Sequence, residues 1–289
     1  MLRKNSLRLI FGVGILLALC FSVSAQTNQA WIEGKLDSKL MKRVMPYRVM
    51  LPSEYESQPK KIFPVVYLLH GLTGNYKNWF DRTNLVEYSK NFDFILVTPE
   101  GENGWYTDSA VNANQKYESY LTDELFPEIE TNYRAGRSRE NRAIAGLSMG
   151  GYGSVKFAVK YPEKFKIIGA FSGALKATEF NAATIPGWRV LTDSVDAAFG
   201  DLENPARKAN DVFLLTEAVS DAQVAQMPFF YVSCGTEDFL LLSNREYAAL
   251  LSKKKIAHEF RELPGGHDWK FWNDQVDEFL RVVNRRLKQ

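Results

Sequence analysis

Two stretches decide most about how this chain can fold, FPVVYLLHG (Phe63–Gly71) and FDFILVTPEG (Phe92–Gly101). Each is a nearly unbroken apolar run that ends in glycine. Neither alternates with polar residues in the way that would leave one face in water. Runs of this kind form strands buried on both faces, which is the condition of a parallel sheet covered by helices on both sides. The signature recurs in NRAIAG, FKIIGAFSG and MPFFYVSCG, with AHEFREL as a last strand. Between them, GYGSVKFAVKYP, NREYAALLSKKK and DWKFWNDQVDEFLRVVNRRL read as helices. ESYLTDELFPEIETNY places Leu121, Leu125, Ile129 and Tyr133 four apart, with Pro127 bending or restarting that helix. Arg43–Pro52 alternates weakly and reads as an early edge strand, because Pro46 cannot donate to a central ladder.

The alternation predicts an α/β fold, a mostly parallel central sheet with helices on both faces. Right-handed crossovers then line up the C-terminal strand ends along one rim, where ligands bind in such sheets. The stretch 174–227 is too long for a simple crossover and reads as an insertion over that rim, within one domain spanning 26–289.

The first residues follow other rules. MLRKNSLRLIFGVGILLALCFSVSA has a basic start, an apolar run from Leu9 to Phe21, and small residues at its end. That is the pattern of an export signal over residues 1–25 with cleavage after Ala25, and the run is shorter than the roughly 20 residues a bilayer span needs. The expected location is periplasmic or secreted, with no stable membrane association after cleavage. Of 36 Lys and Arg, three lie in this leader, leaving 33 against 34 Asp and Glu. A balanced chain of this kind gives no reason to expect nucleic acid as a partner. Cys20 would leave with the leader, so Cys234 remains alone and no intramolecular disulfide can form.

Gly146-Leu147-Ser148-Met149-Gly150 fits G-x-S-x-G, after a short apolar strand and at the start of a helix. Strand, turn and helix are the setting of a nucleophile elbow. A glycine-rich turn that packs strand on helix is the other reading. A serine hydroxyl needs a base to take its proton, and the chain has three histidines. His258 falls inside the last strand and His70 ends an early one. His267, in the loop LPGGHDW, opens on the same rim as Ser148 and is the expected base. VSCGTEDFLL offers Glu237 and Asp238 as the carboxylate that orients it, and Asp238 is preferred. The order Ser148, Asp238, His267 is that of α/β-hydrolases. An oxyanion would be held by the backbone N–H groups of Met149 and Leu72. Asp268 is expected to cap the last helix. Trp79, Trp105, Tyr152 and Trp188 are candidates for the substrate pocket; the alternative is that such aromatics pin loops to the core. Scattered histidines and one cysteine give no metal-ligand spacing, and no phosphate loop is present.

HGLTGNYKNW, PEGENGWYTDS, DELFPEIETNYR, GLSMGGYGSVKFAVKYPEKF, FSGAL and GGHDWKFW together resemble the putative-esterase family. That family includes S-formylglutathione hydrolases, feruloyl and acetyl-xylan esterases, tributyrin esterases and mycolyltransferases. The resemblance covers roughly Val44 to Leu287. It implies an α/β-hydrolase fold with no metal or organic cofactor, a triad at Ser148, Asp238 and His267, and oxyanion amides at Leu72 and Met149. GLSMGGYGS is more similar to the tributyrin and feruloyl branches. S-Formylglutathione hydrolases carry histidine where this chain has Leu147. The expected function is an exported serine carboxylesterase acting on short-acyl or carbohydrate-linked (acetyl or feruloyl) esters. An acyltransferase of the mycolyltransferase type, a thioesterase like S-formylglutathione hydrolase, and a non-catalytic carbohydrate-binding protein are the alternatives.

Overall fold

The computed structural model describes residues 30–287. The expected leader, 1–25, lies outside them. Eight strands form one sheet in the order β1-β2-β4-β3-β5-β6-β7-β8. They are β1 (Ile32–Ser38), β2 (Arg43–Met50), β3 (Val65–Leu69), β4 (Ile95–Pro99), β5 (Arg142–Leu147), β6 (Ile167–Phe171), β7 (Phe229–Gly235) and β8 (His258–Leu263). β1 and β2 run antiparallel to their neighbours, and β4, β3, β5, β6, β7 and β8 are mutually parallel.

Successive residues of β3 show why its sequence has no polar alternation. Val65, Tyr67 and Leu69 enter the core on one face, and Val66 and Leu68 enter the core on the other. Side chains alternate across a strand, so burial on both faces requires every position to be apolar. The four principal helices are α1 (Met149–Lys160), α2 (Arg189–Phe199), α3 (Leu241–Lys253) and α4 (Trp269–Leu287). The apolar stripe of α4, with Phe271, Val276, Phe279 and Val283, covers the face carrying Val66 and Leu68.

Arg43–Met50 is not an edge strand: β1 lies outside it. The sequence IEGKLDS is mostly exposed and polar, which suits an edge but hides it from a search for apolar runs. Pro46 is tolerated because the β2–β4 register begins one residue later, at Tyr47 opposite Pro99. The Pro46 carbonyl, pointing to that side, accepts the Glu100 N–H at 3.1 Å beyond the end of β4. The helix expected over Glu118–Tyr133 runs through Pro127 and is widened rather than stopped. The backbone stays helical across a π-turn at Tyr120–Leu125, where the Phe126 N–H reaches back to Leu121 O, and continues into Phe126–Asn132 with the proline at its start.

Between β6 and β7 the chain makes several short helices, α2 among them. One buried side chain braces two of their turns. Arg207 donates to the carbonyls of Gly200 (3.1 Å), Asp201 (2.9 Å), Thr178 (2.8 Å) and Phe180 (3.0 Å), and its guanidinium also pairs with Asp196. Among the described residues no helix is long and apolar enough to cross a membrane.

Candidate active site

β5 ends at Leu147, and the chain turns sharply into α1. Ser148 occupies that turn at φ 51° and ψ −114°. Left-handed φ is costly for a residue with a Cβ, on the order of 1–3 kcal/mol, and persists only where the surroundings fix it. Here they do. The Ser148 N–H donates to Phe171 O at 3.0 Å, and its carbonyl accepts from Tyr152 and Ala174 at 3.0 Å each. The flanking glycines are required by close approach. A Cβ on Gly146 would lie 2.4 Å from Gly150 C, and one on Gly150 would lie 2.4 Å from Leu69 O.

The loops after β7 and β8 are zipped together by Thr236 N–H to Leu263 O (2.9 Å) and Glu237 N–H to Gly265 O (3.0 Å). That brings Asp238 under His267. His267 Nδ1 lies 2.9 Å from Asp238 Oδ2, and His267 Nε2 lies 3.0 Å from Ser148 Oγ. The other carboxylate oxygen of Asp238 accepts the Leu240 N–H at 2.9 Å. The Asp238 side chain has no exposure. Burial pushes its carboxyl up, but the hydrogen bond and charge of His267, with help from Ser172 and the Leu240 N–H, hold it below the usual carboxylate range. An ionised Asp238 accepts from Nδ1–H, which leaves Nε2 free to accept from the serine hydroxyl. The imidazole is further confined by Trp272 at 4.9 Å, edge-on, and Phe239 at 4.8 Å.

The other two histidines sit elsewhere. His70 is buried, its Nδ1 on Gly71 O (2.8 Å) and its Nε2 accepting the Gly101 N–H (2.9 Å). His258 contacts Ser252 and Ile256 O. Glu237 is exposed at the surface. Asp268 caps α4 by accepting the Phe271 N–H at 2.9 Å.

Ser148 and His267 open into a cavity of about 480 Å³ that Leu72 also lines. Leu72 follows β3 and Met149 opens α1. Among the described residues neither backbone N–H has a hydrogen-bond acceptor. A hydroxyl on an imidazole, an imidazole on a buried carboxylate, and free N–H groups beside them are what nucleophilic acyl transfer needs.

The four aromatic candidates divide. Trp188 lines the cavity and is 46% exposed. Trp79, Trp105 and Tyr152 do not line it; each is buried in the core. The reason is that each polar tip finds a partner inside. Trp79 Nε1 donates to Leu69 O (3.1 Å), Trp105 Nε1 to Ser194 Oγ (2.9 Å), and Tyr152 Oη to Asn210 O (2.8 Å). With that partner in place, burying an indole is worth ~4–6 kcal/mol from its ~200 Å² of area. Trp105 and Tyr152 thereby tie the β6–β7 segment to the core. That segment supplies Ala174, Phe180, Trp188 and Leu191 to the cavity wall. Phe239 was not foreseen, although it directly follows Asp238; it is 60% exposed, lines the cavity and packs 5.8 Å from Trp188. Among the described residues no group of three or more His, Cys, Asp or Glu side chains could hold a metal ion.

Comparison with known proteins gives a consistent picture. A family model described as Putative esterase matches residues 38–282. An acetyl esterase of Caldicellulosiruptor saccharolyticus is 31% identical over 252 residues, covering 83% of this chain and 92% of that protein. A solved ferulic acid esterase superposes with a TM-score of 0.75 at 27% identity, over 88% of this chain and 97% of the other. A fluorophosphonate-binding serine hydrolase of Staphylococcus aureus shares the fold, with a TM-score of 0.76 at 24% identity over 88% of this chain and 98% of that one.

Proposed function

This chain belongs to the Putative esterase family of α/β-hydrolase fold and is a carboxylic ester hydrolase, and from that premise we propose that it is an exported serine esterase that cleaves short-acyl or carbohydrate-linked esters, acetyl or feruloyl, through an acyl-enzyme. Ser148 Oγ attacks the ester carbonyl while His267 Nε2 takes its proton. The N–H groups of Leu72 and Met149 hold the oxyanion. His267 returns the proton to the leaving alcohol, and water, activated by the same imidazole, releases the acid. Asp238 keeps the imidazole in the required tautomer and balances its charge. The leader over residues 1–25 supplies the export.

The observation that carries this reading is the unbroken chain Ser148 Oγ to His267 Nε2 at 3.0 Å and His267 Nδ1 to Asp238 Oδ2 at 2.9 Å, opening on one cavity. The acetyl esterase and ferulic acid esterase among its relatives favour acyl groups of that size. The test is a panel of nitrophenyl acetate, butyrate and octanoate, methyl ferulate and acetylated xylan, each with wild type and Ser148→Ala. The expected loss of kcat in the variant is at least about 10³-fold. Undiminished turnover by Ser148→Ala would overturn the assignment.

A further inference from the structure

A second cavity, of about 460 Å³, lies behind α2. It is nearly as large as the first and within the ~300–1,000 Å³ span of ligand sites. The two share walls. α2 and its N-cap offer Trp188 and Leu191 to the first cavity and Val190, Asp193 and Ser194 to the second. On the opposite side, Thr73 of the first cavity donates its N–H to the side-chain oxygen of Asn103 in the second, at 2.8 Å. The intervening loop is held stiffly. Glu102, Trp105 and Tyr106 all take left-handed φ of 43–53°. The buried Lys156 ammonium donates to Tyr106 O at 2.7 Å.

The second cavity sets hydrogen-bonding side chains beside apolar surface. Among the described residues, the Asn103 amide nitrogen and the Gln115 side chain have no hydrogen-bond partner, and Asp193 has only Arg189 at 3.9 Å. These are uncommitted donors and acceptors in mixed order. Glu102 is neutralised by Arg43 at 2.9 Å and accepts the Tyr117 hydroxyl at 2.5 Å. Among the described residues no lysine or arginine lines this cavity, so no cation in its wall faces an anionic ligand, and Val190, Ala197 and Ala198 set apolar surface beside the polar groups. We propose that this cavity holds a neutral sugar ring of the glycan that carries the ester, next to the ring whose acyl group reaches Ser148. The proposal rests on the carbohydrate-ester reading above and adds a place for the part of the substrate that does not react.

The test uses xylotriose, which has no ester, titrated calorimetrically into the full chain. Saturable binding is expected with a dissociation constant on the order of 1 mM. Truncating both side chains, Gln115→Ala with Asp193→Ala, should weaken it at least tenfold, since each removes a hydrogen bond to the ligand. Both lie at least partly in solvent, so the core is left intact. The same double variant should lower the ratio of kcat/KM for acetylated xylotriose to that for nitrophenyl acetate by a similar factor. Absence of saturable binding in wild type, or binding undiminished in the double variant, overturns the proposal. Turnover of nitrophenyl acetate that survives Ser148→Ala would instead refute the serine mechanism, whatever the sugar does.

Discussion

Replacing Asp238 by asparagine changes no volume, yet should almost abolish turnover. The buried carboxylate accepts two hydrogen bonds, from His267 Nδ1–H and from the Leu240 N–H, each at 2.9 Å. An amide has only one oxygen. If that oxygen stays on His267, the amide NH₂ faces the Leu240 N–H, and two buried donors are left without acceptors at a cost of ~1–3 kcal/mol. The amide therefore turns, keeps Leu240 satisfied, and donates to Nδ1. The imidazole proton moves to Nε2, 3.0 Å from Ser148 Oγ, where it can no longer accept the serine proton. The fraction in the working tautomer drops by a factor of about 10 or more. The carboxylate charge is also lost. At ~4 Å and an effective dielectric of 20, its attraction for the imidazolium formed in the transition state is ~4 kcal/mol, or about three decades of rate. Together these predict a fall in kcat of about 10⁴, the size known for this substitution in a serine protease. The assay is initial-rate hydrolysis of nitrophenyl acetate at pH 7–8, with the thermal midpoint as a control for folding. A folded Asp238→Asn protein within tenfold of wild-type kcat would refute the tautomer argument.

Gly150→Ala should damage activity and stability together. Its Cβ would fall 2.4 Å from Leu69 O and 2.7 Å from His70 O, pushing the start of α1 off the end of β3. A cost of ~1–3 kcal/mol and a loss of about 10² in kcat are expected, and wild-type kcat would contradict the close-packed elbow. Glu118 predicts the acid limb of stability. Burial pushes its carboxyl up, but Lys156 and Lys160 outweigh this and leave it at about 2, against 4.5 when unfolded. A carboxyl held low stabilises the fold fully above pH 4.5 and loses that contribution as pH falls towards 2. Urea midpoints between pH 6 and pH 3 should therefore fall less steeply for Glu118→Gln than for wild type; equal slopes would remove the pair from the account.

The parallel strands were legible because burial on both faces writes itself directly into sequence, as Val65 to Leu69 illustrate. β1 was not, since an exposed edge strand imposes no apolar pattern. Ser148, Asp238 and His267 could be nominated because each follows a strand that ends on one rim, and three histidines leave few choices. The cavity wall resisted reading. Trp79, Trp105 and Tyr152 look like surface aromatics in loops and at a helix start, and only the partners of their polar tips, Leu69 O, Ser194 and Asn210, reveal them as core. Those partners lie 10, 89 and 58 residues away, beyond the reach of local pattern.

Arg207 has a consequence for how this enzyme can diversify. One guanidinium gathers four carbonyls from two separate turns, and with Trp105 and Tyr152 it fixes the backbone beside the Ser148 cavity. The exposed residues from Pro186 to Val190 contribute little to that frame. Substitutions among those side chains should therefore leave the backbone that displays them in register. Wall chemistry and wall position are thereby assigned to different residues of one segment: a change at Trp188 is expected to alter what the cavity mouth presents, whereas loss of Arg207 is expected to loosen the turns that carry that mouth.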